Sequence, residues 1–106
     1  MKVFLLALSL FFYSLTQAAT YYISPTGNDA TGTGTLANPW RTLFKATSTV
    51  TAAGNTIHVL PGTYTETQES NLAVGVSLEG EGIANSIILS NITGQWTTLL
   101  NLSSGW

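Results

Sequence analysis

The sequence has no cysteine and only three Lys and Arg residues in 106, and each shortage excludes a class of protein. Without cysteine no disulfide can stabilise a small chain, so its stability must come from regular backbone pairing, a bound ion or additional chain. Phosphate binding needs clustered Lys and Arg. We therefore expect no nucleic-acid partner.

The longest apolar run is too short for a membrane-spanning helix. It covers residues 3–15, whereas such a helix needs roughly 18 to 20 apolar residues. Lys2 precedes the run and small residues follow it, which is the arrangement of a secretory signal peptide. We expect no transmembrane segment. Residues 1–19 are predicted to be a signal peptide cleaved after Ala18 or Ala19, so that the protein is secreted or extracellular, and periplasmic or at the cell surface if bacterial.

Removal of Lys2 leaves a mildly acidic chain. Two basic and five acidic side chains remain, which gives a net charge of 2 − 5 = −3. The basic residues are Arg41 and Lys45, and the acidic residues are Asp29, Glu66, Glu69, Glu79 and Glu81. The mature part is rich in Thr, Gly, Asn and Ser. These residues suit pleated strands and tight turns.

One segment has the pattern of a helix. Asn38 is a favourable N-cap, Pro39 suits the first helical position, and Gly54 can end the segment in a left-handed conformation. The positions with helical spacing are Trp40, Leu43, Phe44, Thr47 and Val50. The pattern predicts a helix between residues 38 and 54 that packs through this side.

Short β-like runs make up the rest of the chain, and they recur at a regular interval. Val76 and Leu78 lie about 20 residues after the run T-I-H-V-L, Ile87 lies 23 after Tyr64, and Leu100 lies 22 after Leu78. A repeat near 22 residues is typical of stacked supersecondary units. Because no helix lies inside the repeat and no L-x-x-L-x-L pattern occurs, a β-solenoid is favoured over a leucine-rich repeat.

Four ordered motifs between Tyr21 and Leu89 carry a family resemblance. They are Y-Y-I-S-P-T-G-N-D, G-T-L-A-N-P-W-R-T-L-F-K-A, A-G-N-T-I-H-V-L-P-G-T-Y-T-E and G-V-S-L-E-G-E-G. Together they resemble the N-terminal region of secreted right-handed parallel β-helix proteins, the pectate-lyase-like proteins, a region often described as a domain of unknown function. The resemblance implies an all-β solenoid. Residues 20–55 would form an N-terminal strand, loop and cap helix, and residues 56–106 the first coils.

The resemblance also sets the expectations for function. The family includes polysaccharide lyases, glycoside hydrolases, isomerases such as alginate epimerases, and members without known catalysis. It implies a protein that acts on or binds extracellular polysaccharide, the alternative being a noncatalytic surface or adhesion protein. Because no polar closing segment follows the repeat, we expect an N-terminal fragment. A small self-contained sugar-binding module would need such a cap. Catalytic groups in these enzymes come from middle coils, so whether the parent is an enzyme stays open.

The single histidine lies in T-I-H-V-L and raises the question of an acid–base pair with Glu66. Alternation places Ile57 and Val59 on one face of the strand and His58 on the other. If the first two point inward, His58 is an outward surface residue. We interpret it as architecture, not as a catalyst.

A sharp corner follows this strand. Pro61 fixes its own φ and Gly62 tolerates a positive φ. Tyr64 is then expected to pack at the corner, and Glu66 is expected to be solvated.

Glu79 and Glu81 are a second candidate pair. On a continuous strand they would lie roughly 7 Å apart, within the separation of about 5 to 9.5 Å used by glycosidases. Glycines on both sides favour a bend instead. No catalytic constellation is therefore visible in this chain, and its catalytic residues stay unknown.

The remaining candidates concern metals and lyase bases. The loop G-N-D-A-T-G-T-G has one carboxylate, Asp29, and lacks the spacing of an EF-hand, so no metal or cofactor is predicted here, with calcium conceivable in a longer parent. G-T-G-T-L-A has no following Lys and is not a phosphate loop. A β-elimination base would be Arg or Lys. Arg41 and Lys45, one turn apart, are interpreted as the solvated face of the cap helix.

Two tryptophans and two sequons complete the inventory. Trp96 and Trp106 suit either stacking on sugar rings or packing in a core. Asn91 and Asn101 match the N-glycosylation sequon, which matters only in a eukaryotic source.

Overall fold

A computed structural model describes residues 18–94 and 98–102 of the chain. The described residues form seven strands and one short helix: β1 (Thr20–Ile23), α1 (Leu43–Thr49), β2 (Thr56–Val59), β3 (Gly62–Glu66), β4 (Ser70–Leu72), β5 (Ser77–Glu79), β6 (Ser86–Ser90) and β7 (Leu100–Leu102). The prediction of a mostly β protein with one helix in its N-terminal part is confirmed.

All strand pairings among the described residues are parallel. β2 lies between β1 and β5, β3 pairs with β6, and β4 pairs with β7. Each of the strands β2, β3 and β4 therefore pairs with the strand three positions later in the chain. Parallel neighbours need a long connection between them, which here contains the other strands of the set.

The predicted repeat is wrong in its last unit. We expected Leu100 to stack on Leu78, but Leu78 pairs with Ile57, and Leu100 lies opposite Ser70. The reason is β4, a three-residue strand that is too short to be recognised from alternation. Leu100 was thus assigned to a third strand beside β2 and β5, although it belongs to β7, which pairs with β4.

The predicted register of β6 is wrong by one residue. Ile88, not Ile87, lies opposite Tyr64. A shift of one residue exchanges the two faces of a strand. Accordingly Ile88 packs against the buried core, whereas Ile87 is exposed.

The core lies between α1 and the inward faces of the strands. Its buried apolar residues are Ile23, Trp40, Leu43, Ala46, Val50, Ile57, Val59, Tyr64, Leu72 and Val76. The prediction that Ile57 and Val59 point inward is confirmed, as is the packing of Tyr64. α1 packs mainly on β4 and also contacts β1.

The helix is shorter than predicted, and Asn38 is not its N-cap. Thr42 is the N-cap, because its Oγ1 accepts the N–H of Lys45 at 3.0 Å. Val50 caps the other end. Gly54 does have a positive φ of 93°, but it lies in the turn beyond the helix.

Trp40 explains the late start of the helix. Its N–H donates to the carbonyl of Tyr22 and its own carbonyl accepts from the N–H of Ser24, so this part of the chain is paired with β1. The indole Nε1 donates to the carbonyl of Gly32 at 3.0 Å, and the ring stacks on Tyr21. These contacts hold Trp40 in extended backbone and prevent a helix there.

No helix in the described residues has the length and apolar content needed to cross a membrane. Their one helix, α1, has seven residues, too few to cross a bilayer. The predicted signal peptide falls on residues 1–19, of which 1–17 lie outside the described residues.

Candidate functional site

The outer surface of the sheet formed by β1, β2 and β5 carries a cluster of three ionisable side chains. Nδ1 of His58 lies 2.8 Å from Oε1 of Glu79, and Nε2 lies 3.2 Å from Oε2 of Glu81. Both ring nitrogens are therefore hydrogen-bonded to carboxylates. The structure unites His58 with the second candidate pair and not with Glu66.

Parallel pairing and alternation produce this cluster. His58 lies directly opposite Tyr22 on one side and Glu79 on the other, while its neighbours in β2 turn into the core. Glu81 follows on the bend after β5, as the flanking glycines predicted. The Tyr22 and His58 rings are 5.6 Å apart between centroids. Tyr22, His58 and Glu79 thus form one row across three strands.

The carboxylates favour the protonated form of the imidazole. The hydrogen bond to Glu79 is the largest cause and raises the pKa of His58. Partial desolvation of the ring lowers this pKa. The hydrogen bond to Glu81 and the negative charges of both glutamates raise it further. An imidazolium can donate from both nitrogens, which matches the two contacts. Through these two contacts His58 connects β2 to β5 and to the bend that follows it.

One sequence signal could have found the cluster. His58 and Glu79 are 21 residues apart, close to the predicted repeat. Residues one repeat apart on the same face become neighbours when parallel strands stack. Analysing each candidate within its own segment missed this relation.

The prediction that Glu66 is solvated is wrong. Glu66 is only 2% exposed, and its Oε1 accepts the N–H of Phe44 in the first turn of α1 at 3.0 Å. Its Oε2 is buried without a hydrogen-bond partner among the described residues. Tyr64 and Glu66 are two positions apart in β3 and therefore share the inward face.

Asp29 stabilises the residues before the helix. Its Oδ1 accepts the N–H groups of Arg41 and Thr42, and its Oδ2 accepts the Thr42 hydroxyl at 2.7 Å. Arg41 precedes α1, so the prediction that Arg41 and Lys45 share one helix face is wrong. Arg41 is exposed and Lys45 is half-buried.

The other candidates are distributed away from this cluster. Across residues 18–94 and 98–102, no three His, Cys, Asp or Glu side chains are arranged to hold a metal ion. Asn91 and Asn101 are both exposed, and the Asn101 amide donates to Oδ1 of Asn71. Trp96 and Trp106 lie outside the described residues.

The described part of the chain is a strand-rich protein with parallel pairing, one short helix and a polar outer cluster. The chain belongs to the family described as "Protein of unknown function (DUF1565)", whose model matches residues 25–85. No curated protein and no solved structure matches the chain. The matched residues contain α1, the strands β2 to β5, and the side chains of His58, Glu79 and Glu81, which we call the His58 cluster.

Proposed function

We propose that this chain is the secreted N-terminal cap and first coils of a right-handed parallel β-helix protein that acts on or binds extracellular polysaccharide. The observation that carries the proposal is the order of the pairings: β2, β3 and β4 meet β5, β6 and β7 in sequence, all in parallel. One coil would contain three strands, and the next coil would stack on it. The right hand follows from the general rule for parallel crossover connections.

The cap assignment rests on β1 and α1. β1 pairs with the edge of β2 that faces away from β5, and α1 covers buried residues of β4. Both elements therefore lie before the first coil and shield one of its ends. An uncovered solenoid end would expose apolar side chains and open strand edges.

The outer surface of the first sheet suits a hydroxylated polymer. Tyr22 supplies an aromatic ring beside His58, and an adjacent row of hydroxyls crosses the same strands through Thr20, Thr56 and Ser77. Aromatic rings and hydroxyls together provide apolar contact and hydrogen bonds. Because His58 and its carboxylates are bonded to one another, this surface favours binding over catalysis. That favours the alternative of a noncatalytic surface or adhesion protein for this segment.

Secretion is tested by intact-mass analysis of the exported product. Ala19 donates its N–H to Oδ1 of Asn55 and accepts the N–H of Thr56, so a mature chain that starts at Ala19 keeps both bonds. We expect the product to begin at Ala19 or Thr20. Retention of Met1 on the exported protein would overturn the proposal of a cleaved leader.

Polysaccharide binding is tested by affinity electrophoresis of the full secreted chain in gels that contain xylan, dextran, alginate or polygalacturonate. We expect retardation by at least one polymer and weaker retardation for Tyr22→Ala, with Glu69→Gln, an exposed residue outside this surface, as the control. We also expect no release of unsaturated uronides that absorb in the ultraviolet. Equal mobility in all gels would contradict the proposed function, and uronide release would contradict the noncatalytic alternative.

A further inference from the structure

A second surface, which we call the cap groove, lies between the loop of residues 25–30, the residues before α1 and the outer face of β3. It consists of two adjoining hollows of about 130 Å³ and 380 Å³. Both are lined by Arg41, Thr42 and Thr65. The larger falls within the range of about 300 to 1,000 Å³ that is common for ligand sites.

The hydrogen-bond acceptors around the cap groove are already used by the chain itself. Asp29 accepts three bonds through its two carboxylate oxygens. Oδ1 of Asn28 accepts the N–H groups of Ala30 and Thr31. Glu66 lines the smaller hollow, but its Oε1 is bonded to the helix and its Oε2 is buried. The oxygens of Asp29, Oδ1 of Asn28 and Oε1 of Glu66 therefore already accept hydrogen bonds, and Oε2 of Glu66 is buried.

The side-chain donors of Arg41, Thr63 and Thr65 are not used in this way, unlike the Thr42 hydroxyl, which donates to Asp29. The side-chain ion pairs in the described part of the chain are those of His58, so the Arg41 guanidinium has no carboxylate partner there. Thr63 and Thr65 point outward from β3 and are exposed. A guanidinium presents five donors and binds oxyanions through two parallel hydrogen bonds. The groove thus offers donors to a ligand that brings acceptors.

From this imbalance we infer that the cap groove binds an oxyanion group, a carboxylate or a sulfate, carried by an acidic polysaccharide. Arg41 is the residue that recognises the oxyanion, and the hydroxyls of Thr63 and Thr65 assist it. The inference rests on the proposed function, since it names the class of polysaccharide. It uses a different surface from the His58 cluster.

The charge distribution is consistent with such a ligand despite the acidic chain. Arg41 and Lys45 are the only Lys and Arg side chains in the described residues, and both lie on the cap. Glu79 and Glu81 lie on the outer surface of the first sheet, beside His58. Two carboxylates also line the cap groove, but Asp29 is half-buried and Glu66 is buried, whereas Arg41 is exposed. The Arg41 guanidinium is therefore the charged group that an acidic polymer meets first at the cap groove.

The test is affinity electrophoresis of the full secreted chain against polygalacturonate, dextran sulfate and neutral dextran. Arg41→Gln removes the guanidinium, Arg41→Lys keeps only the charge, and Lys45→Gln makes the same charge change elsewhere on the cap. We expect Arg41→Gln to weaken binding of the acidic polymers about tenfold or more, as for a lost charged hydrogen bond. Arg41→Lys should lie between it and the wild type, because a Lys ammonium cannot form the paired contact.

The outcomes separate this inference from the proposed function. Preference for polygalacturonate assigns the site to a carboxylate, and preference for dextran sulfate assigns it to a sulfate. Equal losses in Arg41→Gln and Lys45→Gln would show a net-charge effect and overturn the inference. Binding to neutral dextran that is as tight as binding to the acidic polymers would also overturn it and leave the proposed function standing. Failure to bind any polymer would count against the proposed function itself. A thermal melt of each variant checks that the fold is intact.

Discussion

The phenol of Tyr64 in β3 donates a hydrogen bond to the carbonyl oxygen of Ile23 at 2.9 Å, which joins residues 41 positions apart. The phenolic oxygen of Tyr64 also lies 2.7 Å from the carbonyl oxygen of Leu60. One phenolic hydrogen is therefore shared between two acceptors. This contact ties the ends of β1 and β2 to the corner where β3 begins. Burial of the ring raises the pKa of Tyr64 to about 12, with a smaller effect from the charge of Glu81.

Removal of this hydroxyl should destabilise the protein. Tyr64→Phe removes the phenolic donor to the Leu60 carbonyl and one of the two donors to the Ile23 carbonyl, which keeps the N–H of Leu60. We expect a cost of about 1 to 3 kcal/mol in the free energy of unfolding. Tyr22→Phe, which alters a tyrosine on the outer surface of the sheet, is the matched control and should change stability little. Urea unfolding of the two variants measures the difference. Equal midpoints would show that the shared hydrogen bond contributes nothing.

The start of the helix provides a second comparison. Thr42→Ala removes the N-cap bond to Lys45 and the hydroxyl bond to Asp29, and we expect a loss of about 1 to 2 kcal/mol. Asn38→Ala removes only a loop bond from its amide to the carbonyl of Thr31. Its cost should be smaller, and Thr42→Ser should restore most of the stability. If Asn38→Ala is the more harmful change in thermal melts, the helix begins where the sequence first indicated.

The two neighbouring apolar residues of α1 should respond very differently to a charge. Leu43 is 1% exposed, whereas Phe44 is 38% exposed, although the sequence predicted both on the packed side. Leu43→Asp places an unpaired carboxylate in the core and should prevent stable folding, because burial of an isolated charge is strongly unfavourable. Phe44→Asp should be tolerated. Comparison of melting midpoints checks this, and a similar collapse of both variants would contradict the observed orientation of the helix.

Local patterns predicted the parts of the fold that depend on neighbouring residues. Alternation in T-I-H-V-L gave the inward direction of Ile57 and Val59, and the Pro-Gly corner placed Tyr64 against the core. β2 begins and ends within one residue of the run T-I-H-V-L. In each case a single segment carries the information, through period-two alternation or turn chemistry.

The errors concern relations between distant segments. Trp40 has helical spacing with Leu43, but its backbone pairs with β1, and tertiary pairing overrides the local pattern. Glu66 is a charged residue that was expected in solvent, yet it is buried and accepts a hydrogen bond from the N–H of Phe44 in the helix. The His58 cluster likewise required the parallel register of β2 and β5. None of these relations can be derived from one segment alone.

The His58 cluster should make stability depend on pH. The carboxylates raise the pKa of His58 in the folded state above the value of about 6.5 that applies in the unfolded chain. The stabilisation is therefore fully present below about pH 6.5 and is lost as the pH rises through the raised folded-state value. We expect the difference in free energy of unfolding between the wild type and His58→Gln to be larger near pH 6 than near pH 9.

Urea unfolding at both pH values measures that difference, with Glu69→Gln as the control, because Glu69 is exposed and lies outside the cluster. Glu79→Gln should reduce the pH dependence of the wild type, since the hydrogen bond to Glu79 is the largest cause of the raised His58 pKa. Glu81→Gln should reduce it less, in line with its longer contact of 3.2 Å. A difference that stays constant or grows from pH 6 to pH 9 would contradict the assignment, because loss of the proton from His58 removes the attraction to both carboxylates.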